Sequence, residues 1–208
     1  MLPLVVRIER AEPPERTDAL EAAGRAVLLM LTSAPEEWRG AIEAWDGQRI
    51  RKVVRRARGA EWRRAETLPG LTVQHGTAQV RVYPPIPVDG WPPELARLQV
   101  GGTELTDPEP PPPAPAGVPV VLLTPHAEMT AGKAMAQAGH AAQLGWRACS
   151  PADRAAWAAA GFPLAVRAAT PAQWSAAIAA GAPVVHDGGF TEVEPDTQTA
   201  LAVLPWLR

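Results

Sequence analysis

The stretch EMTAGKAMAQAGHAA, residues 128–142, decides how this chain reads. Its alanines predict a helix starting just after Thr130, whose hydroxyl suits an N-cap. Lys133, Gln137 and His140 stand at i, i+4 and i+7, so they share one helical face while the alanines pack elsewhere. A cap followed by Gly132 and Lys133 leaves N–H groups at the helix start that favour an anion. Read alone, the stretch is equally an Ala-rich helix with solvated polar residues.

Working outward, residues 119–124 carry VVLL, too short for a helix and rich in β-branched residues, so a buried strand is expected there. The helix runs from Ala131 to about Ala148. Ser150, Pro151 and Asp153 open the next one with a cap, a proline in the first turn and an early acid, and Gly161 closes it. Residues 162–169 form a second strand. Thr170, Pro171 and Gln173 start a third helix by the same grammar, ending at Gly181, and residues 184–186 form a third strand. After an Asp-Gly-Gly turn, strand-like pieces are expected at 190–193 and 199–204. Strands alternating with helices predict an α/β sandwich with a mixed, mostly parallel sheet.

Upstream of this unit, TELTDPEPPPPAPAG at residues 103–117 has six prolines. Such a run favours extended polyproline II and would span roughly 45 Å as a linker. The segments on either side of it resemble each other. Trp62 and Trp174 lie 112 positions apart, and at that offset RIRKVVRRARGAEW (49–62) lies over GFPLAVRAATPAQW (161–174). PLVVRIERAE (3–12) lies over PVVLLTPHAE (119–128), and AAGRA (22–26) meets QAGHA (137–141). The order strand, helix, strand, Trp-bearing helix, strand persists in both. The expected architecture is two tandem small α/β domains, pseudo-duplicated: residues 1–102, the linker 103–117, and residues 118–208.

With 208 residues, 47% hydrophobic content and a net charge of −2, the chain has enough apolar material for ordinary cores and is not a basic nucleic-acid binder throughout. One cysteine, Cys149, excludes an intrachain disulfide and a Cys-based zinc site. His75, His126 and His186 show no metal-ligand spacing, so neither metal nor cofactor is expected. The first residues meet acid and proline early, and no segment approaches transmembrane length; a soluble cytoplasmic protein is expected.

GKAMAQAGHA (132–141) followed by HDGGFTEVEPDTQTALAV (186–203) resembles the two signatures of the archaeal-type, or second-class, peptidyl-tRNA hydrolases. In that family a G-K-x-x-A-Q-x-x-H-A helix follows the first strand, and a D-x-G-x-T segment with a later threonine follows the third. Asp187, Gly189, Thr191 and Thr199 match that spacing. The resemblance covers residues 118–208. It implies hydrolysis of the ester joining a peptide to the 3′ end of tRNA, with Lys133, Asp187, Thr191 and Thr199 catalytic and Gly132, Gln137, His140 and Gly189 near the substrate. The chain departs from the pattern where Thr130-Ala131 replaces a second lysine and where Phe190-Thr191-Glu192 replaces Arg-Thr-Gln. Both departures remove positive charge.

The residue types suit that chemistry. A lysine at a helix start can stabilise an oxyanion, and an aspartate at a strand end can orient a water. Each also has an ordinary reading: Asp187 before two glycines as turn chemistry, the threonines as strand residues, His140 as a packed histidine.

The first half loses the chemistry, with Arg25 in the place of His140 and His75-Gly76 in the place of Asp187-Gly188. It reads as a degenerate copy. It is basic locally, since Arg49 to Arg64 holds eight Lys or Arg against Glu61 alone. That patch suggests a tRNA-backbone contact, or simply a solvated strand edge. The second-class family is commonly dimeric, so the two halves are expected to pack as an intrachain pseudo-dimer within a monomeric chain. An alternative function is a non-catalytic tRNA- or ribosome-associated binding protein on the same fold.

Overall fold

In the computed structural model, which describes residues 1–48 and 50–206, β1 (Leu2–Arg7) sends alternate side chains to opposite faces. Leu4 and Val6 enter a large central core, whereas Val5 enters a smaller outer one around Trp62 and Tyr83. The same alternation recurs in β5 (Val120–Leu123), where Val121 and Leu123 face the centre and Leu122 joins Trp174 outside. Both strands are therefore covered on two faces, which is why they read as unbroken apolar runs.

The chain is α/β, with two four-stranded mixed sheets in tandem. The first half runs β1, α1 (Arg16–Thr32), α2 (Arg39–Asp46), β2 (Lys52–Ala57), α3 (Gly59–Glu66), β3 (Leu71–His75), β4 (Ala78–Val82) and the short α4 (Pro93–Ala96). The second runs β5, α5 (Ala131–Ala148), α6 (Pro151–Ala159), β6 (Ala165–Ala168), α7 (Pro171–Ala179), β7 (Val184–His186) and β8 (Gln198–Val203). Sheet orders β2-β1-β4-β3 and β6-β5-β8-β7 are the same topology.

Two expectations change. The sheets are mixed but not mostly parallel: only β1–β2 and β5–β6 run parallel, while β1–β4, β3–β4, β5–β8 and β7–β8 are antiparallel. The cause is a return without a helix, by a tight turn from β3 to β4 and a loop from β7 to β8, which forces the last strand to reverse. Residues 190–193 are part of that loop rather than a strand.

The halves are not separate lobes. One core runs through both, joining Leu4, Leu20, Val27 and Val80 to Val121, Met135, Ala138 and Leu204. Helices α1 and α5 lie together between the sheets and are buried nearly all round. Gly24 faces Leu164 and Ala142, while Gly139 faces Lys52 and Val27. These contacts are reciprocal under the offsets that align the two halves, the signature of a twofold-like interface.

Residues 103–117 are not a free spacer. Thr103 and Leu105 are buried, Thr103 Oγ1 accepts from Gly132 N (3.0 Å), and Asp107 accepts from Thr17 N and Oγ1 (both 2.8 Å). The strap thus ties down the first turns of both central helices.

Candidate functional site

Three segments of the second half meet at one end of its sheet. The first turns of α5 bring Lys133 and Gln137, the exit of β7 brings Asp187, and the start of β8 brings Thr199. Local sequence explains each placement. The Thr130 hydroxyl accepts from Lys133 N (3.3 Å), starting the helix where its lysine can reach β7. Gly189 adopts φ 70°, and a Cβ there would lie 2.4 Å from Pro195 N, so only glycine lets the loop fold back after Asp187.

The polar groups form one directed chain. Thr199 Oγ1 donates to Gln137 Oε1 (2.8 Å), Gln137 Nε2 donates to Asp187 Oδ2 (2.6 Å), and Lys133 Nζ donates to the same oxygen (2.7 Å). Gly189 N donates to Asp187 Oδ1 (2.9 Å), and Lys133 Nζ lies 3.4 Å from Thr191 Oγ1. Thr199 and Gln137 are buried, and the Lys133 and Asp187 side chains are only 9% and 10% exposed. With water mostly excluded, removing one partner of the ion pair would strand a charge at a cost of about 3–5 kcal/mol.

Of the eight residues singled out from sequence, six therefore converge: Lys133, Gln137, Asp187, Gly189, Thr191 and Thr199. Gly132 lies instead against the strap, at Thr103. His140 is turned away. Its Nδ1 faces Lys52 Nζ (3.2 Å) of the first half, and Lys52 also donates to Gln143 Oε1 (2.5 Å). Burial, with Lys52 and Lys133 nearby, holds the imidazole well below its ordinary pKa, so it is a neutral interface residue.

The helix start is not an open anion cradle either. Besides Thr103 on Gly132 N, the Glu192 carboxylate accepts from Thr130 N and Thr130 Oγ1 (both 2.9 Å). The protein supplies its own anion there, from a residue with no local sequence signal. Glu192 also has φ 61°, an uncommon conformation for a residue with a side chain.

The copy of this site in the first half is built differently. The His75 ring bonds Glu21 Oε2 (2.7 Å) and Arg25 (2.8 Å), and Glu21 Oε1 accepts from Arg167 (2.8 Å) and Val166 N (3.1 Å) of the second half. Burial pushes the Glu21 carboxyl up, but the hydrogen bonds from His75, Arg167 and Val166 outweigh it and hold the pKa below its ordinary value. Through the Arg167 and Val166 contacts of Glu21 the cluster fastens the halves together.

The basic stretch is also partly committed. Arg49 lies outside the described residues. Arg55 stacks on Trp91 and donates to Ala96 O (3.1 Å), Arg56 donates to Gly101 O (2.9 Å), and Lys52 is at the interface. Arg63 and Arg64 are exposed, and Arg51 reaches Phe190, on the loop between Asp187 and Thr191.

Among the described residues, no group of three or more His, Cys, Asp or Glu is placed to hold a metal ion, and no helix is long and apolar enough to cross a membrane. Compared with known proteins, the chain matches no family model, and a search of curated proteins finds no match either.

Proposed function

We propose that the chain hydrolyses the ester bond of peptidyl-tRNA, releasing peptide and recycling tRNA. The observation that carries this reading is the enclosed Lys133–Asp187–Gln137–Thr199 chain, with Thr191 at its edge, on residues whose spacing resembles the second-class peptidyl-tRNA hydrolases. Asp187 Oδ2 is taken by two donors, whereas among the described residues Oδ1 accepts from Gly189 N alone, which leaves it acceptor capacity for a water. That water attacks the ester carbonyl carbon. Negative charge develops on the carbonyl oxygen, where the Lys133 ammonium offers compensation; the bond from the carbonyl carbon to the 3′ oxygen then breaks, and the proton given up by the water to Asp187 passes to that leaving oxygen. Gln137 and Thr199 act as positioning residues that fix the carboxylate.

The test is turnover of an N-acetylated aminoacyl-tRNA. Wild type is expected to cleave it, and Lys133→Ala and Asp187→Asn are each expected to lower kcat/KM by about 10²-fold or more. Unchanged rates in both variants would refute the assignment. A second reading, a non-catalytic tRNA- or ribosome-associated protein, is favoured by the Glu192 carboxylate on the start of α5, where a substrate anion would otherwise sit. Binding of tRNA without turnover by wild type would select it.

A further inference from the structure

The chain has two phenylalanines, and they sit in opposite environments: Phe162 is 2% exposed, whereas Phe190 is 67% exposed. Phe190 lies between Asp187 and Thr191, at the rim of the cluster just described. Its loop is held in many places. Asp187 N donates to Thr197 O (2.9 Å), Asp196 N to Asp187 O (2.8 Å), Val193 N to Thr191 O (2.7 Å), and Glu192 anchors the loop to Thr130. The ring also rests on Gly188, where a Cβ would come within 2.7 Å of it. An aromatic side chain is thus presented to solvent from a fixed backbone.

Its neighbour comes from the other half. The Arg51 guanidinium lies 4.5 Å from the centre of the Phe190 ring. Among the described residues Arg51 makes no ion pair, and it also lines an open groove of about 810 Å³ with Trp45, Gln48 and Ile86. An exposed ring beside a guanidinium with no carboxylate partner among the described residues suits a nucleobase and its phosphate. Bases stack on aromatic rings and on guanidinium planes alike, and the charge serves the adjacent phosphate.

We infer that Phe190 and Arg51 form the stacking site for the terminal base of an RNA 3′ end, so that the degenerate half completes the substrate site of the other. This inference rests on the proposed hydrolysis of peptidyl-tRNA for its choice of ligand, and it names the subsite that holds the leaving nucleotide. It also gives a place to the aromatic residue that departs from the resembled family's Arg-Thr-Gln.

The experiment uses the full chain and a short labelled RNA ending in cytidine-cytidine-adenosine, with the same RNA lacking its terminal base as control. Wild type is expected to prefer the intact RNA. Phe190→Leu, which keeps apolar packing but cannot stack, is expected to bind it about tenfold more weakly and to lose that preference, while Phe190→Trp retains both. With N-acetylated aminoacyl-tRNA the leucine variant raises KM with little change in kcat. A ring that merely struts the two halves would change thermal stability and leave base preference alone. Equal binding of intact and abasic RNA by wild type, or wild-type binding by Phe190→Leu, overturns the inference. Base-dependent RNA binding without turnover upholds the stacking site and removes the hydrolase reading. Turnover with an unchanged KM in Phe190→Leu does the reverse.

Discussion

At the scale of single residues, one face of α5 serves two purposes. Lys133 and Gln137 point to Asp187, while His140, one turn on, points across to Lys52. Spacing along a helix reveals a shared face but not which neighbour covers each part of it, so the three looked alike in sequence. The difference is testable through pH. His140 has a folded pKa well below 6.5, so the unfolded chain takes up a proton that the folded chain refuses. Its contribution to stability is complete above about pH 6.5 and is lost as the pH falls through the window beneath that value. Thermal unfolding between pH 7 and 5 should show a falling midpoint in wild type and a flatter profile in His140→Gln, which keeps an acceptor for Lys52. A parallel pair of profiles would show that His140 is not the group responsible. Lys52, whose pKa burial also lowers, has the same sign, with its window opening downward from about 10.5.

At the scale of elements, the alanines and glycines of α1 and α5 have a common cause. Each helix packs on its own sheet on one side and on the other helix on another, so neither has room for large side chains around most of its circumference. Boundaries of α5 agree with those expected from its cap, and the capping box at Thr170–Gln173 is present as read. The twofold-like contact predicts a graded response to added methyl groups. A Cβ on Gly139 would come within 2.8 Å of Val27 Cγ2, closer than side chains tolerate, so Gly139→Ala should cost about 1–3 kcal/mol. Gly24→Ala should cost less, because its nearest neighbour is the flexible end of Leu164 at 3.0 Å. Urea midpoints would check both, and adding Val27→Ala to Gly139→Ala should recover part of the loss. Additive losses in the double variant would mean that the helices do not meet as described.

At the scale of the whole molecule, the central core takes side chains from both halves and is sealed by Glu21–Arg167 and by the strap on both helix starts. Cutting an engineered protease site at residues 114–117 should therefore leave the two pieces eluting together on gel filtration, and their separation would contradict a shared core. Local pattern determined much of this protein. Short β-branched runs, caps, prolines in first turns and glycines after helices place most of the strands and helices, and the repeated order of elements shows that the architecture occurs twice. The Lys133–Gln137 spacing and the Asp187–Thr199 segment likewise named most of the candidate site in advance, because each piece is local. Tertiary structure alone decided which strand runs beside which, that His140 and Lys52 meet, that Glu192 closes the start of α5, and that Arg51 reaches Phe190. These are meetings between residues far apart in the chain, settled by the burial of two small-residue helices against each other, and no local periodicity records them.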